Sequence, residues 1–146
     1  MITRTMRQLI EENTIALVAT VTPDGAPAVS PKGTTVILDE RTIAFGDIRS
    51  PQTVRNIRNN PAVELNFIDV FRRQACRLKG RGEYVERGSP RFEAFLPHFA
   101  RYTLVPRMRG FVVVMPLRRG HGITGGPKAE FTSCRNPDCY SRSSPV

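Results

Sequence analysis

The sequence predicts a mainly β fold, with short antiparallel strands curled into a closed or nearly closed barrel and short helices at its sides. Three observations carry this. Short runs rich in β-branched and aromatic residues recur along the first 116 positions, most of them separated by turn signals. The first four such runs fall within the first 46 residues with no helix between them, which excludes parallel βαβ units, whose crossovers need a dozen residues or more. The chain has 146 residues, 40% of them hydrophobic and 8% aromatic, enough for one modest core and hence one domain.

The elements follow in order. Residues 3–13 form a helix capped by Thr3 or Thr5, with Met6, Leu9 and Ile10 on one face. Residues 14–21 and 26–30 are strands joined at Pro23-Asp24-Gly25, a hairpin. Residues 34–38 and 42–46 are a second strand pair around Asp39-Glu40-Arg41. Ser50-Pro51 opens a helix as N-cap followed by proline, and Asn60-Pro61 closes it. Residues 62–70 and 74–85 are strands, the second carrying Gly80 and Gly82 as a bulge or bend. Ser89-Pro90 opens a helix with Phe92, Phe95 and Leu96 on one face, its last turn disturbed by Pro97. Residues 109–116 are the last clear strand. Six or seven strands result. The organisation is a barrel over residues 1–118 and a flexible tail over 119–146, rich in Gly, Ser, Pro and Cys.

The net charge of +9 is unevenly spread. Residues 49–81 hold eight basic residues against two acidic ones, residues 117–146 hold five against two, and the remainder balances. A local anion site is at least as good a reading of this as a nucleic-acid face; a nucleic-acid binder is the last alternative, since only Phe67 and Phe71 are interleaved with the basic run for stacking on bases. The longest apolar runs, 15–21 and 111–117, fall short of the roughly 20 residues a membrane helix needs. The N-terminus lacks the apolar core of a signal peptide, so a cytoplasmic protein without a membrane partner is expected. Cys76, Cys134 and Cys139 are read as reduced thiols, and with only His98 and His121 available no metal site is expected.

The chain offers little acid–base machinery. It has no nucleophile elbow, no Walker loop and no dinucleotide fingerprint. His98 lies between Pro97 and Phe99 at a helix end, as a packed or capping residue, and His121 sits in a Gly-flanked basic run. No catalytic residue is assigned; if the protein is an enzyme, a cofactor carries the reaction.

The informative stretch runs from Ala28 to Leu65: a strand entering Ser30-Pro31-Lys32-Gly33, a strand closing at Phe45-Gly46-Asp47, a helix from Ser50 to Asn60-Pro61, then Ala62-Val63-Glu64-Leu65-Asn66-Phe67. With Arg77-Leu78-Lys79-Gly80-Arg81-Gly82-Glu83 further on, this ordered set resembles the FMN-binding split-barrel family related to pyridoxamine 5′-phosphate oxidase. The resemblance covers roughly residues 8–116 and implies a six-stranded antiparallel split β-barrel that works as a homodimer with flavin at the subunit interface. It further implies cofactor contacts by Ser30, Pro31, Lys32, Gly33 and Thr34, by Phe45, Gly46 and Asp47, by Ser50, Gln52 and Thr53 at the helix start, and by Gln74. Arg49, Arg55 and Arg58 stand at and along that helix, and its positive end suits a phosphate. Arg55 is counted among the cofactor-binding residues, because Gln52-Thr53 stands where the oxidase has an Arg-Lys pair and Arg49 or Arg55 can replace it.

The expected function is therefore an FMN-dependent oxidoreductase acting on a small-molecule substrate. The chain is short for vitamin B6 oxidase, and the substrate-binding C-terminus of that enzyme has no counterpart here. The alternatives are a deazaflavin (F420) reductase of the same fold and a non-catalytic flavin or haem module. Phe131-Thr132-Ser133-Cys134 resembles a C-terminal segment that approaches the flavin in some members, but a flexible tail is the preferred reading.

Overall fold

Eight antiparallel strands and three short helices make up the structure, a computed structural model that describes residues 2–116 and 130–133. In chain order they are α1 (Arg4–Glu12), β1 (Ala16–Val21), β2 (Pro27–Lys32), β3 (Thr35–Asp39), β4 (Thr42–Asp47), α2 (Pro51–Asn59), β5 (Ala62–Asp69), β6 (Gln74–Glu86), α3 (Pro90–Phe95), β7 (Gly110–Pro116) and β8 (Glu130–Ser133). The strands pair in the order β2-β1-β5-β6-β7-β4-β3, and β8 pairs with β6.

The hydrogen-bonded path does not close, yet its two ends are consecutive in the chain. Only Gly33 and Thr34 lie between the last residue of β2 and the first of β3. At no more than about 3.6 Å per residue, that link holds the two edges within roughly 11 Å and curls the sheet into a split barrel. The fold class read from the sequence is therefore the observed one, with eight strands among the described residues instead of six.

Strand alternation gives the sheet two apolar faces where β4, β7 and β6 meet. Ile43, Phe45, Val112, Val114 and Leu78 point into the barrel and join Met6, Leu9 and Ile10 of α1 and Ile57 of α2. Ala44, Phe111, Val113 and Val85 point outward, where Phe92 of α3, Phe99 and Met108 cover them. Phe111 is sandwiched between Phe92 and Phe99, with ring centroids 4.3 and 4.2 Å away and planes within 4° of parallel.

Local signals explain the termini of most elements. Thr3 accepts the Met6 N–H and caps α1, and Ser89 accepts the Phe92 N–H and caps α3. Gly25 turns the β1–β2 hairpin with φ +87°. Pro97 converts the end of the third helix into a 3₁₀ turn, Leu96–Phe99. The bulge expected at Gly80 and Gly82 is not there, because β6 keeps an unbroken register with both neighbours. These glycines serve close approach instead. A Cβ on Gly80 would lie 2.6 Å from the Met115 carbonyl, at the point where β6 passes from β5 to β7. The register shift in the sheet lies between Ile37 and Asp39 of β3.

Within the stretch expected to be a flexible tail, Glu130–Ser133 pairs with Arg77–Gln74 of β6. β7 covers β6 only from Gly80 onward, and β8 satisfies the backbone groups of the edge left open beyond it. The rest of the predicted tail, His121, Cys134 and Cys139 included, lies outside the described residues.

Candidate functional site

β2, β4 and α2 converge on one polar corner. Inward-facing residues of β2 alternate, so Ser30 and Lys32 point toward α2 while Pro31, paired with Leu17, lies on the opposite, outer face. Lys32 Nζ donates to Ser50 Oγ at 2.8 Å, and Ser30 Oγ lies 3.2 Å from Thr53 Oγ1. Asp47, the last residue of β4, accepts the Ser50 N–H on Oδ1 at 2.9 Å and the Tyr84 hydroxyl on Oδ2 at 3.2 Å. Lys32 and Asp47 are only 8% and 4% exposed.

Two consequences follow. Ser50 occupies the N-cap position, but its hydroxyl faces Lys32 and does not cap, which leaves the first-turn amides of Gln52 and Thr53 without a side-chain acceptor. Lys32 carries a charge out of water with Ser50 Oγ as its hydrogen-bond partner. Desolvation pushes its pKa down, and the negative charge of Asp47 opposes this only in part. A buried cation beside uncapped helix amides is a donor set suited to a phosphate.

The helix is held by a second polar chain. Asn56, fully buried, donates to Thr20 Oγ1 at 2.9 Å and accepts from Gln52 at 2.7 Å. Asn56 was not singled out from the sequence, although asparagine in mid-helix is a mild anomaly that signals a buried polar contact.

The other expected contacts divide. Thr34 is buried with its hydroxyl committed to the Gly46 backbone, from which it takes the N–H at 3.1 Å. Phe45 is fully buried in the barrel interior, and Gly46 is backed by Met108, whose side chain a Cβ would meet at 2.8 Å. Gly33 is exposed with open space where a Cβ would be. Gln74 lies at the opposite end of β6, paired with Asp69 and Ser133, away from the corner.

Beyond Ser50 the surface opens into a cleft of about 630 Å³, lined by Pro51, Val54, Arg55 and Arg58 of α2 and by Tyr84 and Arg109 across from them. Arg58 is paired with Glu86 at 2.6 Å and lies 5.0 Å over the Tyr84 ring. Burial and the neighbouring Asp47 push the Tyr84 hydroxyl up to about 12, so it stays a donor. Tyr84 and Arg109 escaped sequence reading because strand alternation marks an inward face without saying which inward residue reaches the rim. Among the described residues, no three of His, Cys, Asp and Glu converge as metal ligands. Cys76 is fully buried and its thiol is pushed up to about 12, which makes it inert.

Residues 2–115 match the family model described as pyridoxamine 5′-phosphate oxidase. No curated protein matches the chain. Among solved structures, HupZ of Group A Streptococcus is 30% identical, covering 89% of this chain and 100% of its own, with a TM-score of 0.66. An F420 reductase is 27% identical over 77% of this chain and 93% of its own, with a TM-score of 0.59. HutZ, the heme storage protein of Vibrio cholerae, shares the fold at 16% identity, covering 90% of this chain and 94% of its own, with a TM-score of 0.64.

Proposed function

Because the chain belongs to the pyridoxamine 5′-phosphate oxidase family, we propose that it binds FMN and acts as an oxidoreductase on a small molecule. The observation that carries this reading is Lys32, a buried ammonium aimed at the uncapped start of α2. FMN, when bound, supplies the electron or hydride transfer. The work of the chain is to hold it. Lys32, Ser50 and the amides of Gln52 and Thr53 meet the phosphate, and Asp47 fixes Ser50 by taking its N–H. Thr53, locked to Ser30, sets the height of the helix end above β2.

The proposal includes a homodimer in the cytoplasm with the cofactor at the subunit interface. Support comes from the outer face of β1 and its neighbours, where Ile15, Leu17, Val29 and Ile68 stand exposed side by side. Gln74 lies ten positions along β6 from Tyr84, at the opposite end of the strand; in the proposed dimer it meets the cofactor from the other subunit.

An F420 reductase is the second reading, favoured by the relative of that name at 27% identity. The test is an absorption spectrum after desalting, with FMN, F420 or haem added separately, and light scattering on the same sample. FMN bands retained by a dimer, and lost in Lys32→Met, support the proposal. Retention of F420 alone selects the second reading, and a haem spectrum alone a storage module. A colourless protein overturns the cofactor reading.

A further inference from the structure

We propose a second ligand site, separate from the cofactor corner, that takes a small amine: an aryl or alkyl body with one ammonium end. It is a cleft of about 400 Å³ between α3 with its 3₁₀ extension and a second 3₁₀ turn, Val105–Arg107. None of its lining residues belongs to the corner, so the inference does not rest on the FMN reading. The sequence builds one wall as a helical stripe. Glu93, Leu96, Pro97 and Ala100 recur at spacings of three and four and so share a face of α3 and its continuation. Leu96, Tyr102 and Val105 are half-buried on the outer aromatic cluster and form the floor, and Pro106 closes the far side.

The polar groups of this cleft are committed, with one exception. Tyr102 donates its hydroxyl to the Thr35 carbonyl at 2.7 Å and offers the cleft only its ring. The Pro97, Tyr102 and Val105 carbonyls accept the N–H groups of Ala100, Val105 and Met108. Arg91, Arg101 and Arg107 lie outside the lining. Glu83 holds the first at 2.5 Å, and the Thr35 carbonyl holds the second at 2.9 Å. The exception is Glu93. It is the one charged residue of the lining, and among the described residues its carboxylate has no hydrogen-bond or ion-pair partner. A ligand that covers the apolar wall takes water from this carboxylate. A neutral head leaves that loss uncompensated and an anion is repelled, whereas an ammonium replaces the lost water with a charge-assisted hydrogen bond. The volume falls at the small end of the range for ligand pockets, about 300–1,000 Å³, which suits a small molecule.

The experiment is an NMR titration of the full chain with three probes that share a ring and differ in the head: phenethylamine, phenethyl alcohol and hydrocinnamate. The expected result is saturable shifts at the Ala100, Tyr102 and Val105 amides for the amine. The alcohol should bind about fivefold more weakly, the upper end for an exposed ion pair, and the anion more weakly still. Glu93→Gln removes the charge from an exposed side chain that holds nothing else, so it should keep the fold and make amine and alcohol bind alike. Ala100→Trp, at an exposed position, fills the cleft and should abolish saturation at the Val105 amide for all three probes. An amine that gives no saturable shift, or that binds the wild type no better than the alcohol, overturns the inference. So does a preference for the amine that survives Glu93→Gln, or saturation that survives Ala100→Trp. Shifts confined to the Val54 and Tyr84 amides also overturn it, since they would place the amine beside the corner.

Discussion

Lys32 Nζ and Ser50 Oγ, 2.8 Å apart, join the last residue of β2 to the residue preceding α2. The contact turns a serine that would cap its helix into an acceptor for a buried cation, and so leaves two helix amides open beside a positive charge. In the proposed FMN complex, replacing Lys32 by Met removes a charge-assisted hydrogen bond to phosphate, which is about 1.5–3 kcal/mol, or roughly ten- to over a hundredfold in FMN affinity. The unliganded variant should melt no lower than the wild type, because the desolvation cost of the ammonium goes with it. A fluorescence titration and a melting curve check both halves; unchanged affinity would remove Lys32 from the site.

The same lysine sets a pH dependence. Its pKa in the folded chain lies below the ordinary value of 10.5, so the folded state binds fewer protons than the unfolded state between the two values. Stability from this group accordingly rises as pH climbs through that window. FMN affinity moves the other way, since it needs the protonated ammonium while the phosphate stays dianionic above pH about 7. The expected outcome is an alkaline fall in affinity that begins below pH 10.5 and is absent in Lys32→Met. A wild-type profile flat to pH 10.5 would contradict it.

Strand and helix positions were legible in the sequence because their signals are local: Gly25 at the hairpin, Ser89-Pro90 at α3, alternation through Val63, Leu65 and Phe67. The corner was legible in outline for the same reason, since Ser30, Lys32, Asp47, Ser50 and Thr53 sit at element ends that the resemblance places in a fixed order. Side-chain direction was not legible. Phe45 and Gly46 lie next to Asp47 in sequence yet face the barrel interior and Met108. Tyr84 and Arg109 reach the cleft only through the pairing of β6, β7 and β4, which no local signal encodes. Gly110 shows the same limit, for its reason lies in a ring 26 residues earlier in the chain.

A Cβ on Gly110 would lie 2.6 Å from the Tyr84 ring carbon and hydroxyl and 2.6 Å from the Val85 carbonyl. Gly110→Ala must therefore displace Tyr84 and break its hydrogen bond to Asp47, at a cost of about 1–3 kcal/mol. Tyr84→Phe removes only the hydrogen bond and should cost about 0.5–1.5 kcal/mol. It should also abolish the loss of stability that the raised tyrosine pKa imposes between pH 10 and about 12. Chemical denaturation of both variants decides the matter: if Gly110→Ala costs no more than Tyr84→Phe, close approach of the ring is not what requires glycine.

The outer cluster offers the strongest stability test. Phe111 is fully buried and touches Phe92 and Phe99 on its two faces in near-parallel stacks, so truncation to Ala leaves a cavity bounded by two rings that have lost their partner. The expected cost is about 3–5 kcal/mol. The substitution lies on the face of β7 turned away from the barrel interior, among residues of the outer cluster and none of the corner. FMN affinity, measured well below the melting temperature, should therefore stay within about a factor of two to three, the usual limit of additivity for independent sites. A large loss of affinity at a temperature where the variant is fully folded would show that α3 and the rings beneath it help to set the β4 end that carries Asp47.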